Sequence, residues 1–297
     1  MVWFLIAGAA VAVGAAIYCS KSSRSQGAFV YLPTHDIIDH IESAEELKEF
    51  KKKLWTASTT AKSADGSKDY TPDVDPTVVE GILLASGLDA TSLTAQATIA
   101  NAAGQIQRLT NLLATLEARR SEAYDANNAA HEAQLQQLWD LMMPGTPLPA
   151  RVHAAWGKLG FQGNDPATDF RGGGLLGLDS LLGLARRYPT LARSVATIGD
   201  EEGTRWFSYA ITVINIAFET LRLSRAAHRF YGHHGYSQEA FVDLCAIVLT
   251  ALQRRWRTDK PPNVMSFGQI FPAALAEVRA AVTAPGESVE CVPDVAI

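Results

Sequence analysis

The chain has 297 residues, 47% of them apolar and 19% charged, with a formal net charge of −5. That is enough apolar material for one or two domains with a sizeable core. Lys48, Lys51, Lys52 and Lys53 lie among Glu45, Glu46 and Glu49 and read as a solvated helix face, so nucleic acid is not expected as a partner.

From Val2 to Tyr18 the chain is an unbroken run of apolar and small residues without a charge. As a helix this run spans ~26 Å, slightly under a hydrocarbon core of about 30 Å. No basic side chain precedes it, whereas Lys21 and Arg24 follow it. That order is unlike a cleavable secretory peptide and should keep the basic residues cytosolic. Residues 1–19 are therefore expected to be a transmembrane helix, a single-pass N-terminal anchor with the bulk of the chain cytosolic.

Residues 20–90 read as a linker followed by a helical, partly disordered region. Ser43-Ala-Glu-Glu46 matches the Ser-x-x-Glu capping box, which predicts a helix running to about Ala57. Ser58 to Pro76 is rich in Ser, Thr, Lys and Asp, with Pro72 and Pro76, and reads as a loop.

Residues 91–285 read as a helical body and 286–297 as a tail. Ile106, Leu109, Leu113 and Leu116 recur at helical spacing within Thr91 to Met143, predicting one long helix or a helical hairpin bent at Asp125-Ala-Asn-Asn128. Three later stripes repeat at the same period: Trp206, Ala210, Val213, Ile214, Ala217 and Leu221; Phe241, Leu244, Cys245, Val248, Leu252 and Trp256; Ile270, Phe271, Ala274, Leu275 and Val278. Gly- or Pro-containing connections are expected at 197–204, 231–237 and 258–263. No alternating strand pattern interrupts them, so the fold class is all-α and bundle-like. Cys19, Cys245 and Cys291 are too few and too far apart for a disulfide framework, and Cys245 falls on an apolar stripe as a packing residue.

The segment from Trp156 to Leu178 differs from the rest, because it sets Arg171 among carboxylates, turn formers and glycines. Asp165-Pro166, Thr168-Asp169 and Gly172-Gly173-Gly174 are turn chemistry, predicting an exposed arginine on a tight loop before a helix that begins near Leu175. Gly172-x-Gly174-x-x-Gly177 has the spacing of a dinucleotide fingerprint, but Asn164 to Asp169 breaks strands and the required preceding strand is missing. Gly174 to Gly177 is not followed by Lys-Ser or Lys-Thr, which excludes a Walker phosphate loop. His233-His234 lacks further ligands at metal spacing, and Ser180 lacks the Gly-x-Ser-x-Gly setting of a nucleophile. Arg171 can either fork onto Asp165 or Asp169 or be offered to a partner.

At these residues the chain resembles the ELMO (engulfment and cell motility) domain family, and more closely its ELMO-domain-only branch. The shared pattern is Trp156, Leu159-Gly160-Phe161-Gln162, Asp165-Pro166, Thr168-Asp169-Phe170-Arg171-Gly172 and Leu176-Gly177-Leu178, and the looser resemblance runs from about Gln137 to Pro285. It implies a GTPase-activating protein for an Arf- or Arl-family small GTPase at a membrane surface. Arg171 is then the catalytic residue, an arginine finger supplied in trans. Gln162, Asp165, Thr168, Asp169, Phe170 and Gly172 would support the loop or bind the partner, and Trp156, Phe161 and Leu178 would be motif core. No cofactor is implied for this chain, since the partner GTPase holds GTP and Mg²⁺. The alternative is a noncatalytic ELMO scaffold that binds a small GTPase or a Rac exchange-factor complex.

Overall fold

The computed structural model describes residues 38–54 (40 and 42 excepted), 74–86 and 90–284. The Val2–Tyr18 run, the linker, most of the predicted loop from Ser58 and the 286–297 tail lie outside the described residues. Among the described residues every regular element is helical, as the apolar periodicity requires. The chain divides into two compact units, Met1–Asn111 and Leu112–Ile297, the division falling within the helix Leu93–Ser121.

In the first unit a 3-10 turn, Glu45–Leu47, leads into helix α1 (Lys48–Leu54). The N-cap position falls on Ala44, one residue after the predicted Ser43, and no side chain bonds there. Helix α2 (Pro76–Ala85) starts with Asp75 accepting the Thr77 N–H at 2.9 Å and proline in the first turn, where its missing N–H costs nothing. Ile38, Ile41, Leu47, Ile82, Leu83 and Ile99 form the core of this unit.

Helix α3 (Leu93–Ser121) ends before Asp125-Ala-Asn-Asn128, and α4 (Ala129–Met142) begins with Asn128 accepting the Ala130 N–H at 2.9 Å. The stretch is therefore two helices rather than one long helix. The second unit is organised around α5 (Gly174–Arg187), whose Leu175, Leu176, Leu178, Leu181, Leu182 and Leu184 are all buried. A helix apolar around most of its circumference needs neighbours on several sides. Here α4, α6 (Pro189–Glu202), α7 (Tyr209–Ser224) and α9 (Gln238–Asp259) pack on it, with α8 (His228–His234) and α10 (Phe267–Thr283) completing the unit.

The predicted stripes on α7, α9 and α10 are buried except for Leu275, which is half-buried, and two helix ends differ from expectation. Trp206 precedes α7, and its ring stacks on Phe207 at 5.0 Å beside Trp256. Gly199, expected in a connection, lies inside α6, and the break comes at Gly203, whose positive φ of 56° ends the helix. His233 and His234 form the last turn of α8 rather than a free loop, and among the described residues no metal-binding group exists. Cys245 is fully buried, and burial chiefly pushes its thiol up to about 12, so it packs as a small apolar side chain.

The expectation of a single-pass membrane protein is corrected. Among the described residues no helix is long and apolar enough to cross a membrane. The longest, α3, carries Gln96, Asn101, Gln105, Gln107, Arg108 and Asn111 outside its buried stripe, so its circumference is not apolar throughout. Such groups are costly in hydrocarbon.

Candidate functional site

The glycines of the motif fix its position on α5. Gly174 has φ +53°, and a Cβ there would lie 2.1 Å from the Arg120 carbonyl oxygen and 2.7 Å from that of Glu122. The end of α3 thus lies against the start of α5, joined by the Leu175 N–H to Glu122 O bond of 2.9 Å. Arg119 reinforces the junction by donating from Nε and Nη2 to the two oxygens of Asp179, at 2.7 and 3.0 Å. Gly173 and Gly177, four residues apart, face Ile214 of α7, where a Cβ would meet its side chain at 2.7 and 3.1 Å. Two of the three glycines that imitated a dinucleotide fingerprint, Gly174 and Gly177, therefore serve helix packing.

Before α5 the chain makes two 3-10 turns, Ala154–Leu159 and Pro166–Arg171. Gly160, at φ +80°, closes the first against the backbone of α7, where a Cβ would lie 2.5 Å from the Tyr209 nitrogen. The aromatic residues of the motif point inward. Trp156 meets Trp139 edge-on at 5.2 Å and Phe161 at 5.5 Å, Phe161 meets Phe170 at 5.9 Å, and Phe170 stacks on Tyr124 at 5.2 Å. Trp156, Phe161, Phe170 and Leu178 are all buried, and the three rings form a platform beneath the turn.

The carboxylates lock the turn from above. Asp165 caps the second 3-10 turn by accepting the Ala167 N–H at 3.0 Å, while its carbonyl accepts the Thr168 hydroxyl at 2.9 Å. Asp169 Oδ2 accepts the Gln162 backbone N–H at 2.7 Å, which closes the loop between the turns. Asp165 also pairs with Arg151, and Arg151 donates from Nε and Nη2 to the two oxygens of Glu132 at 2.7 and 2.9 Å. The Tyr124 hydroxyl donates to Glu132 at 2.6 Å, and the Arg151 carbonyl accepts the Trp156 indole N–H at 3.0 Å. Arg151, Glu132 and Tyr124 carry no motif signal in the sequence, because their spacing follows no helical or strand period.

Arg171 ends the turn and is exposed, and among the described residues no side chain hydrogen-bonds or ion-pairs with it. The fork onto Asp165 or Asp169 is not formed: Arg151 holds the first and the Gln162 N–H the second. Asp169 feels Arg171 only as a nearby charge. Gln162 contributes through its backbone, its side chain being exposed and without a hydrogen bond among the described residues. Thr168 and Gly172 are exposed beside Arg171.

The charges of this lattice are tuned by their partners. The Arg151 guanidinium holds Glu132 below the usual carboxylate range. Burial opposes ionisation of Asp165, yet Arg151 and the Ala167 N–H together outweigh it and hold that carboxyl low as well. Burial raises Asp169 despite the Gln162 N–H and the Arg171 charge. Groups with depressed folded values contribute stability that is present above the unfolded pKa of about 4 and is lost as pH falls through the folded value. Asp169 works in the opposite direction. Arg151→Met should therefore lower stability by about 1–2 kcal/mol at pH 7, the range for charge-assisted hydrogen bonds discounted for solvent screening. The gap between wild type and variant should narrow in thermal melts as the buffer is taken from pH 5 to pH 3. A gap constant with pH would show that the Arg151 pairs contribute no stability.

Residues 114–271, more than half of the chain, match the family model described as the ELMO/CED-12 family. The chain is 35% identical over 158 residues to ELMO domain-containing protein B of Dictyostelium discoideum, covering 52% of this chain and 55% of that protein. It is 33% identical over 187 residues to ELMO domain-containing protein 1 of Mus musculus, covering 56% and 57%. With ELMO domain-containing protein 2 of Homo sapiens it shares 32% over 168 residues, covering 55% and 57%. The chain thus spans about half the length of the curated relatives it matches. No solved structure matches it.

Proposed function

The chain belongs to the ELMO/CED-12 family, and on that premise we propose that it is a GTPase-activating protein for an Arf- or Arl-family small GTPase, with Arg171 as the group it contributes. One observation carries the reading: Arg171 is an exposed, unpaired cation on a turn whose neighbouring carboxylates are both engaged elsewhere.

The chemistry asks for little more. A small GTPase already supplies its own phosphate loop, lysine and Mg²⁺, and the transferring phosphoryl group spreads negative charge over its oxygens as the bond to the β-phosphate breaks. A guanidinium delivered to that charge, with water excluded by docking, stabilises the transition state more than the ground state. The planar fork of arginine can bridge two oxygens at once, which lysine cannot do. The aromatic platform and the Arg151 lattice hold the turn fixed beforehand, so little backbone ordering remains to oppose docking.

The test is single-turnover GTP hydrolysis by a panel of purified Arf- and Arl-family GTPases with and without the full chain. Acceleration of at least one supports the reading. Binding without acceleration selects the scaffold instead.

A further inference from the structure

Two histidines of the second unit accept hydrogen bonds from the main chain, and both stand at the frame of the arginine turn. His131, only 7% exposed, accepts the Asp125 N–H on Nδ1 at 3.1 Å, which closes the connection between α3 and α4. His153, half-buried, accepts the Ala155 N–H on Nδ1 at 3.0 Å and so caps the first 3-10 turn. Beside Asp125, Tyr124 stacks on Phe170, the residue before Arg171; beside Ala155, Trp156 meets Phe161 edge-on. Both ends of the aromatic platform are thus tied to a ring nitrogen.

Such a nitrogen accepts only while it carries no proton, and a main-chain N–H cannot turn round to accept as a hydroxyl can. At His131 two donors compete for the ring, the Asp125 N–H at Nδ1 and the Asn128 Nδ2 at 3.3 Å from Nε2. Asn128 has no choice of role, since its Oδ1 accepts the Ala130 N–H. Glu122 Oε1, 3.6 Å from Nε2, draws the single proton of the neutral ring to that side and leaves Nδ1 bare for Asp125.

The charges facing each ring set what protonation does. Glu122 attracts a charged His131, but its other oxygen is already held by Arg119 at 2.6 Å, and its pull acts at Nε2. Asp125 turns its carboxylate to the Asn127 N–H at 2.8 Å, and Glu132 is taken by Arg151 and Tyr124. Among the described residues no charged side chain pairs with His153. In both cases a second proton lands on Nδ1 and sets one N–H against another.

We propose that His131 and His153 form an acid-sensitive latch on the frame of the arginine turn: neutral, they hold the main chain at Asp125 and Ala155, and charged, they release it. The latch is a property of this chain alone and does not depend on what Arg171 acts on. Acid therefore loosens the platform before the carboxylates of the turn are neutralised.

The experiment follows amide hydrogen exchange by NMR in the full chain as wild type, His131→Asn and His153→Asn, from about pH 7.5 to about pH 5.5, where an imidazole ordinarily gains its proton. Each rate is divided by that of an unstructured peptide at the same pH. Asparagine sets an oxygen where Nδ1 stood and does not titrate. The corrected exchange at Asp125 and Ala155 should rise roughly two- to tenfold on acidification, the scale of one hydrogen bond. A smaller rise is expected at the Trp156 indole N–H, which the Arg151 carbonyl accepts. The Ala167 N–H is the control and should stay flat, because the Asp165 carboxyl that holds it is kept low by Arg151 despite burial. Each variant should lose the rise at its own amide and keep it at the other. Corrected rates that stay flat while the ring resonances of both histidines titrate overturn the latch. So does a rise that the asparagine variants retain, or one shared equally by Ala167, which would mean general loosening. Should a variant fail to fold, the wild-type rates at Asp125 and Ala155 against Ala167 decide alone.

Discussion

Arg171→Ala should lower stimulated GTP hydrolysis by about 10³ to 10⁵-fold, the range for loss of an arginine finger, which corresponds to roughly 4–7 kcal/mol of barrier. Because the side chain is exposed and makes no ion pair among the described residues, its removal leaves no buried partner uncompensated. Stability should change by no more than about 0.5 kcal/mol, as for surface sites away from special features. The loss should lie in kcat, with affinity for the GTPase changed only a fewfold, since an interaction made only in the transition state lowers kcat and kcat/KM together. Arg171→Lys should restore little, because the ammonium supplies charge without the bidentate geometry. Had Arg171 forked onto Asp165 or Asp169, the same substitution would have freed a carboxylate and loosened the turn. A variant that keeps full stimulation on every responsive GTPase would sink the assignment.

What the sequence made legible follows from the range of the forces involved. The stripe Phe241, Leu244, Cys245, Val248, Leu252 and Trp256 repeats at the helical period, and burial on one face follows from that period alone. The break at Asp125-Ala-Asn-Asn128 was legible for the same reason, because Asn128 caps α4 within its own turn. What the end of α3 packs against was not legible, since it meets Gly174 some fifty residues later. The 3-10 turn at Glu45 shifted the cap from Ser43 to Ala44, a local competition that the capping box does not register. In the site, Arg171, Asp165 and Asp169 stood out by type and spacing. Their pairing did not. Two carboxylates and one arginine within seven residues suggest a fork, but Arg151 and Glu132 decide the matter from a distance, and no period connects them to the loop.

Gly174→Ala should destabilise the second unit by about 2–5 kcal/mol, the largest stability effect expected in the motif. Left-handed backbone costs an L-residue roughly 1–2 kcal/mol, and overpacking adds about 1–3 more. Here the obstruction is the carbonyl of Arg120 at 2.1 Å and that of Glu122 at 2.7 Å. Both are backbone atoms at the end of α3 and cannot swing aside as a side chain would. Relief requires α5 to move away from α3, which stretches the Leu175 N–H to Glu122 O bond and the Arg119–Asp179 pair together. Gly173→Ala meets a methyl group of Ile214 at 2.7 Å, which can shift, and should cost less. Gly172→Ala meets nothing and should cost nothing. Three adjacent glycines are thus expected to give three different responses in urea unfolding, rising steeply from 172 to 174. Glycines kept merely for loop flexibility would give a flat series, and that outcome would refute the packing role assigned to Gly174.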